Sequence, residues 1–465
     1  MKKISKYKKL YKDSIIFAIG NFGSKILSLI LVPLYVRYLS TSEYGTIDII
    51  ITTTNIILPI MSFSIYEGAL RFLFDKSLSK KRIVSTSLNI SFLGIIVVFI
   101  IGFFLGNFIE KDFVFYSLFL VSFQSIQTLF AQIVRSLGDT KLYAINGIIY
   151  TFVMGLLNIV FLMIFHLGIS GYFYALIITN ICSIIFLLSF SKITSFIDVK
   201  VVDLSLAKEM LMYSIPLIPN ALMWWIMNGV SRYSILYFWN AETNGLFAVA
   251  NKLPSLVTLV TTIFFQAWQL FAIDMYERND DDEIYNTVFH YFSSLLFLVA
   301  SVLLGLLIPV MKIFISNDFF SAWFFTPPLI LAAVLSSFAN FFAIIYNTSK
   351  KTKGIFKTSM IAGVVNVLMS ITLIPFLGAF GAGVSSIVGF FIMWILRIRD
   401  SHNLIKLKIN WNLLSKNFIL ILFQMIFLYI LEKENTLNLV QFIFVLLEIY
   451  INRDLFSILK KKGKI

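Results

Sequence analysis

The stretch SIIFAIGNFGSKILSLILVPLYVR, residues 14–37, decides the fold of this chain. A helix needs about 20 mostly apolar residues to cross the roughly 30 Å hydrocarbon core of a bilayer, and this stretch meets that length. Lys25 nevertheless lies near its middle. A charge at that depth is costly and usually faces protein or a water-filled cavity. The stretch therefore predicts a membrane helix with one functional face.

The composition extends this pattern to the whole chain. Its 465 residues are 59% hydrophobic and 13% charged, whereas soluble proteins are roughly 25% charged. We predict about fourteen membrane spans with short connections, which leaves no room for a separate soluble domain. Numbered in chain order, the predicted spans are 14–37, 45–70, 83–109, 113–134, 142–166, 171–190, 213–238, 245–272, 285–311, 327–348, 355–376, 379–397, 412–431 and 436–452.

Membrane topology accounts for the formal net charge of +14. With these spans, roughly thirty of the 38 Lys and Arg residues fall on the side that holds both termini. Positive residues mark the cytoplasmic side, so we expect both termini in the cytoplasm and no nucleic-acid partner. The first apolar run exceeds the roughly 7–15 residues of a signal-peptide core, which favours a retained helix.

Residues suited to metal or nucleophilic chemistry are scarce. Cys182 is the single cysteine, and the three histidines are scattered. The acidic run 280–283 lacks the alternating ligands and the turn glycine of a calcium loop. Phosphate-binding loops, nucleophile elbows and zinc motifs do not occur in the sequence. We therefore expect no catalytic residue, no metal and no cofactor.

An internal repeat relates the two halves of the chain at an offset of 200 to 212 residues. The turn before Gly45 corresponds to the turn before Gly245, and the run 167–171 corresponds to 377–381. Asn158 likewise corresponds to Asn366. Because each copy has an even number of spans, the copies share one orientation and are related by an axis along the membrane normal.

This repeat predicts an all-α integral membrane fold. We expect one six-helix bundle in residues 1–200 and a second in 201–408. Two additional spans and a basic cytoplasmic tail follow in 409–465.

Polar residues follow one helix face in four spans, whereas spans 3, 13 and 14 show almost none. Two interpretations remain open, because polar side chains in lipid must face either neighbouring helices or water. Their presence on symmetry-related helices favours a lumen lined by spans 1, 2, 7 and 8. The stripes are Asn21, Lys25 and Ser28 in span 1; Asp48, Thr52, Asn55, Pro59, Ser62 and Tyr66 in span 2; Asn220, Trp224, Asn228, Ser231 and Arg232 in span 7; and Asn251, Ser255, Thr258, Thr262, Gln266 and Gln269 in span 8.

Prolines interrupt the same four spans. Each removes a backbone hydrogen bond and permits a bend, which a moving transporter can use. Proline is also commoner in membrane helices than in soluble ones, so a single one has a plain structural explanation. The five are Pro33, Pro59, Pro216, Pro219 and Pro254.

Three basic residues lie on or beside the polar stripes, namely Lys25, Arg232 and Lys252. In a shared lumen they would attract an anion more strongly than in water. Arginine grips phosphate with two parallel hydrogen bonds and lysine acts as a point charge, so a diphosphate suits the set. The alternative is that a long basic side chain reaches the interface and has no role in transport.

Asp48 and Glu67 are the acids that we expect to be embedded, both in span 2. Either could pair with a lumen cation or exchange a proton that couples transport to a gradient. Asp48 could instead interact with the helix dipole, and Glu67 could form an ordinary pair with Arg71.

Three segments carry a family resemblance: AIGNFGSKILSLILVPLYVRYLSTSEYGTIDII (18–50), YEGALRFLFDK (66–76) and YSIPLIPNALMWWIMNGVSRYSILYFW (213–239). They resemble Wzx-type polysaccharide or oligosaccharide flippases of the multidrug/oligosaccharidyl-lipid/polysaccharide exporter superfamily. The resemblance implies a bacterial cytoplasmic-membrane protein that moves an undecaprenyl-diphosphate-linked repeat unit to the outer leaflet by alternating access. Capsule, O-antigen or another surface polysaccharide would be the product.

The resemblance also implies the site and its partners. Lys25 and Lys252 are similar in placement to basic residues that meet the diphosphate in peptidoglycan-precursor flippases, where arginine is commoner. Spans 13 and 14 resemble an extra helix pair that forms a groove for the polyprenyl tail. Partners would be the lipid-linked oligosaccharide, membrane lipids, H⁺ or Na⁺ as coupling ion, and the polysaccharide polymerase with its chain-length machinery. The candidate substrate-binding residues are Lys25, Lys252, Arg232, Arg71, Asn21, Asn220, Trp224, Asn228 and Gln266.

Other functions remain as alternatives. A peptidoglycan-precursor flippase would share the mechanism. A multidrug exporter would favour an acidic, aromatic lumen for cations, which the embedded basic residues oppose. A membrane polymerase or glycosyltransferase would need a large outer loop or a cytoplasmic domain, and the predicted connections are too short for either.

Overall fold

The computed structural model describes residues 28–75, 77–108, 110–198, 203–278, 283–348, 353–402, 408–431 and 434–455, together with 23 and 405. Every regular element in these residues is helical. A helix pairs its backbone polar groups internally, which is what hydrocarbon requires. The chain separates into two compact units, Met1–Gly229 and Val230–Ile465. The predicted boundaries at 200 and 408 stay predictions.

Among the described residues, the first unit contains eight helices and the first part of a ninth. A π-helical turn, Ile159–Ile164, continues α6, and short 3₁₀ turns lie at Ile193–Phe196 and Ile215–Leu217. The helices are α1 Val32–Tyr38, α2 Thr41–Met61, α3 Ile65–Phe72, α4 Lys80–Leu105, α5 Lys111–Ser136, α6 Thr140–Asn158, α7 Gly168–Phe190, α8 Leu204–Ser214 and α9 Ile218–Phe238.

The second unit contains the end of α9 and the remaining helices. A 3₁₀ segment, Asn317–Phe325, leads into α14. The helices are α10 Ala241–Ala250, α11 Pro254–Arg278, α12 Glu283–Gly305, α13 Leu307–Phe314, α14 Thr326–Thr348, α15 Lys353–Ser401, α16 Trp411–Ile430 and α17 Glu434–Ile451.

The described helices support a multi-pass membrane protein. Within the described ranges, nine segments are long and apolar enough to cross a bilayer, and two bent helix pairs and two shorter apolar helices add to them. Each predicted span overlaps one of these segments. Spans 11 and 12 are the two arms of the 49-residue α15, which turns back at Gly378. The total of fourteen remains a prediction.

The internal repeat reappears in the geometry of the turns. Ser40 caps α2 by accepting a hydrogen bond from the Glu43 N–H, and Asn240 caps α10 by accepting one from Thr243. Gly168 and Gly378 both adopt left-handed backbone, with φ of 54° and 56°. Matched capping and matched turns at these offsets support the predicted duplication.

The prediction of one continuous span over 45–70 is wrong. Helix α2 ends at Met61, and Phe63 and Ser64 have φ of 51° and 49° before α3 begins. Pro59 lies two residues before the end of α2 and has no N–H to continue the helical ladder. Ser62 and Tyr66 therefore do not extend the α2 stripe of Asp48, Thr52 and Asn55, because they lie beyond the break.

The connection between α7 and α8 is held by the start of α4. Lys81 pairs with Asp198 at 2.9 Å, and Arg82 pairs with Asp203. Asp203 also caps α8 by accepting a hydrogen bond of 3.0 Å from the Leu206 N–H. These interactions hold the pKa of Asp203 below its ordinary value, with the Leu206 hydrogen bond as the largest favourable contribution.

We predict that Asp203→Ala destabilises the first unit more than Asp203→Asn does. Asparagine keeps the cap and loses only the ion pair, whereas alanine loses both. A carboxyl with a lowered pKa stabilises the fold above the ordinary aspartate value of about 3.9 and loses this effect as the pH falls further. Thermal unfolding of the purified variants in detergent, at neutral and acidic pH, measures both effects. Equal melting temperatures for the two variants would contradict the capping role.

We also predict that Gly378→Ala lowers the stability by about 1–3 kcal/mol, because its backbone region is nearly exclusive to glycine. A β-carbon there would also lie 3.2 Å from the Trp239 ring. Gly138→Ala is the matched control, since Gly138 has a φ of 90° with open space around it. Gly138→Ala should lower the free energy of unfolding by about 1 kcal/mol. Fluorescence-monitored melting distinguishes them, and a smaller loss at Gly378 than at Gly138 would overturn the prediction.

Candidate substrate-binding surfaces

Lys252 lies in a break of the eighth predicted span. Helix α10 ends at Ala250, α11 begins at Pro254, and the two helices meet at 44°. Pro254 has no backbone N–H to donate to the helical hydrogen-bond pattern. The backbone between the two helices instead forms a tighter turn, in which the Lys252 N–H donates to Val249 O at 2.9 Å. The Ser255 hydroxyl donates to Lys252 O at 2.5 Å. The half-buried Lys252 side chain therefore projects from a bend and not from a straight helix.

Arg232 is the other basic candidate in the second unit, and it is half-buried near the end of α9. Its guanidinium carbon lies 5.7 Å from the centroid of the Phe247 ring on α10. A cation over an aromatic face is attracted by the ring quadrupole, and the planar guanidinium keeps its charge. Arg232 is therefore held against the neighbouring helix.

Polar side chains of α11 divide into two sets with different surroundings. Thr261 is buried and shares a hydrogen bond of 2.8 Å with Ser337 on α14, so it joins two helices. Ser255, Thr258 and Gln269 of the predicted stripe are exposed, and the half-buried Thr262 donates to Thr258 O within its own helix. The stripe therefore lies outside the packed interior of its unit.

In the first unit, a tryptophan packs against part of the α2 stripe. The Trp225 indole N–H donates to Thr52 O at 2.9 Å, which fastens the first part of α9 to α2. Thr52 is buried, Asp48 is half-buried and Asn55 is exposed. The α2 stripe thus contains both a helix-packing position and an exposed polar position.

The other predicted residues have varied placements. Trp224 is half-buried, and the exposed Asn228 donates to Trp224 O at 2.7 Å. Arg71 is exposed in the last turn of α3, and Glu67 is half-buried in its first turn. These two form no ion pair in the described part of the chain.

Four predicted residues have side chains outside the described part of the chain. Lys25 and Asn21 precede the described stretch that begins at residue 28. Asn220 lies on α9 and Gln266 on α11, in described helices but with side chains that are not described. Their roles stay predictions.

A family model described as polysaccharide biosynthesis protein matches residues 10–269, more than half of the chain. The chain belongs to this family. The match includes the predicted stripes of spans 1, 2, 7 and 8, which lie within its bounds. No curated protein matches the chain by sequence.

Solved structures resemble this family member in fold. The lipid II flippase MurJ in an inward closed conformation has a TM-score of 0.70 at 16% identity, covering 97% of this chain and 100% of that one. An inward-facing multidrug resistance MATE family transporter of the MOP superfamily has a TM-score of 0.66 at 13% identity, covering 83% and 94%. A mutant of the Vibrio cholerae MATE transporter VcmN has 0.54 at 14%, covering 85% and 97%.

One buried cation of this polysaccharide biosynthesis family member, Arg397, was not predicted from the sequence. Arg397 on the second arm of α15 is 0% exposed. Its guanidinium donates to Ala339 O at 2.8 Å, to the Ser359 hydroxyl at 2.9 Å and to the Thr358 hydroxyl at 3.2 Å. It thereby ties α14 to both arms of α15. The sequence signal was masked because Arg397 lies near a span end, where positive residues are ordinary.

The sequence prediction for spans 13 and 14 is also wrong, because these helices do carry buried polar residues. Each set follows one helix face, at steps of seven or four residues, and this spacing was the available signal. The buried residues are Asn417 and Gln424 on α16, Gln441 and Glu448 on α17, and Asn452 immediately after it.

We predict that Arg397→Ala destabilises the protein by about 2–4 kcal/mol, because it leaves buried acceptors unpaired and opens a cavity. Arg397→Lys should recover only part of this loss, since an ammonium cannot reproduce the three-way guanidinium geometry. Melting in detergent measures the loss. The exposed Arg399→Ala is the control and should melt like the parent. Equal melting of the Arg397 and Arg399 variants would exclude the clamp.

Proposed function

We propose that this protein moves a diphosphate-linked oligosaccharide from the cytoplasmic to the outer leaflet of a bacterial membrane by alternating access, with both termini cytoplasmic. The observation that carries the proposal is Lys252, a lysine at the bend between α10 and α11 within a polysaccharide biosynthesis family member. Membership of that family and the fold shared with a lipid II flippase and a MOP-superfamily transporter support the proposal.

The chemistry of the second unit suits an anionic lipid. A diphosphate must lose hydration to cross the bilayer, and Lys252 and Arg232 replace part of that hydration with fixed positive charge. The exposed hydroxyl and amide groups of the α11 stripe add hydrogen-bonding partners for sugars. We assign the same phosphate role to Lys25, and the coupling role to H⁺ or Na⁺ at Asp48 or Glu67.

A lipid II flippase is the second candidate function. The MurJ structure aligns over 97% of this chain, including a region beyond the 83% that the multidrug transporter covers. Both candidates handle a lipid diphosphate and differ in the sugar. The family match favours the polysaccharide pathway.

We predict that Lys252→Ala and Lys25→Ala lower surface polysaccharide by about tenfold or more, because each removes a charge-assisted phosphate contact. Lys252→Arg should retain function. Surface polysaccharide, lipid-linked oligosaccharide retained inside and membrane protein level are measured in a deletion strain that carries each variant.

Lys312→Ala is the control, because Lys312 is an exposed lysine of the same unit in the last turn of α13. It should behave like the parent. Wild-type surface polysaccharide in both the Lys25 and Lys252 variants would refute the anion role. Rescue of a strain depleted of its peptidoglycan-precursor flippase, with no polysaccharide defect on deletion, would favour the second candidate.

A further inference from the structure

The final helix hairpin, α16 and α17, packs on α12 through a buried polar seam. All of its members are at most 2% exposed, although the outer surfaces of the hairpin are strongly apolar. The seam has two levels, separated by seven residues along each helix. The first level contains Ser301, Gln424 and Gln441, and the second contains Asn417, Glu448 and Asn452.

The first level is held by neutral amides. Gln424 Nε2 donates to Gln441 Oε1 at 3.0 Å and to Ser301 O at 3.0 Å. Gln441 Nε2 returns a hydrogen bond of 3.2 Å to Gln424 O. Neutral amides are therefore sufficient to join the three helices in this environment.

The second level adds a carboxyl group to the same kind of amide pair. Asn417 and Asn452 exchange two hydrogen bonds of 3.2 Å each. Asn452 Nδ2 also donates to Glu448 Oε1 at 3.1 Å. Glu448 is 0% exposed, and within the described ranges its Oε2 atom has no hydrogen-bond partner.

In the part of the chain that the structure describes, no ion pair neutralises Glu448. Among the described residues, the ionisable side chains nearest in sequence to the members of this seam are His290 and Tyr291 on α12, the exposed Lys416 on α16, the exposed Tyr450 on α17, and the exposed Arg453 and Asp454 after it. None forms an ion pair with Glu448 in the described part of the chain. An isolated carboxylate in an apolar interior costs far more free energy than the neutral acid.

We propose that Glu448 is a proton-binding site of the hairpin, and that loss of the proton loosens α17 from α16 and α12. A bound proton makes the Glu448 carboxyl neutral and turns its second oxygen into a donor. The site lies about one turn from the end of α17, so a proton can exchange with the adjacent interface when the helix end opens. This inference does not depend on the identity of the transported substrate.

The direction of the pH effect follows from proton linkage. The packed seam holds one proton on Glu448, and opening to water releases it above the ordinary glutamate value of about 4.3. Opening therefore becomes easier as the pH rises. The opening equilibrium of α17 should increase about tenfold per pH unit until Glu448 ionises within the packed state.

Infrared difference spectra between the parent and Glu448→Gln, in lipid nanodiscs over a pH series, test proton binding directly. We expect a neutral-acid carbonyl band at neutral pH that converts to carboxylate bands as the pH rises. Carboxylate bands already present at neutral pH would overturn the proposal. A neutral band that never titrates would overturn it as well.

Hydrogen–deuterium exchange of the 434–452 segment, corrected for intrinsic exchange rates, tests the loosening. The parent should show the tenfold rise per pH unit, and Glu448→Gln should remove it because glutamine is neutral and isosteric. Gln441→Ala is the matched control, and it should raise exchange at every pH while keeping the parent slope. An unchanged slope in Glu448→Gln would refute the role of Glu448.

Glu448→Leu supplies a second neutral replacement if the glutamine variant fails to fold, and it should also lack the pH slope. If the corrected exchange rate of the parent does not change with pH, that result alone would contradict the loosening. Loss of surface polysaccharide is not used as a readout, so failure of the flippase proposal and failure of this one are distinguishable.

Discussion

Hydrocarbon offers no hydrogen-bond partner, and the rest of this structure depends on that constraint. Backbone polar groups are paired inside helices, and short polar side chains return to the same helices. The Thr54 hydroxyl donates to Ile50 O at 2.9 Å, Thr179 to Ala175 O at 2.6 Å, and Ser385 to Gly381 O at 2.7 Å. A polar residue in the sequence is therefore not by itself a sign of a lumen.

The same constraint gives special weight to positions where a helix breaks. Pro254 and the two left-handed glycines, Gly168 and Gly378, interrupt the ladder and leave groups that must pair locally. At Gly378 the turn packs under Trp239, whose indole N–H donates to Ile374 O at 2.8 Å. At Pro254 the break carries Lys252. The turn at Gly378 thus packs against a neighbouring side chain, and the break at Pro254 carries the charged side chain of Lys252.

Two buried ionisable groups differ in what surrounds them. Arg397 has three acceptors within 3.2 Å and acts as a clamp within its unit. Glu448 has one amide donor and an unpaired oxygen within the described residues, which suits proton exchange. Burial alone does not distinguish these roles, because both side chains are 0% exposed.

Sequence by itself determined the helical membrane class, the approximate spans and the duplication, because hydropathy and turn residues act locally. It also singled out Lys252 and the α11 stripe. Tertiary structure decided that α2 stops at Met61, that Trp225 fastens α9 to α2, and that Arg397 and Glu448 are buried. These outcomes depend on which helices pack together, and a residue's spacing along its own helix does not specify its neighbours.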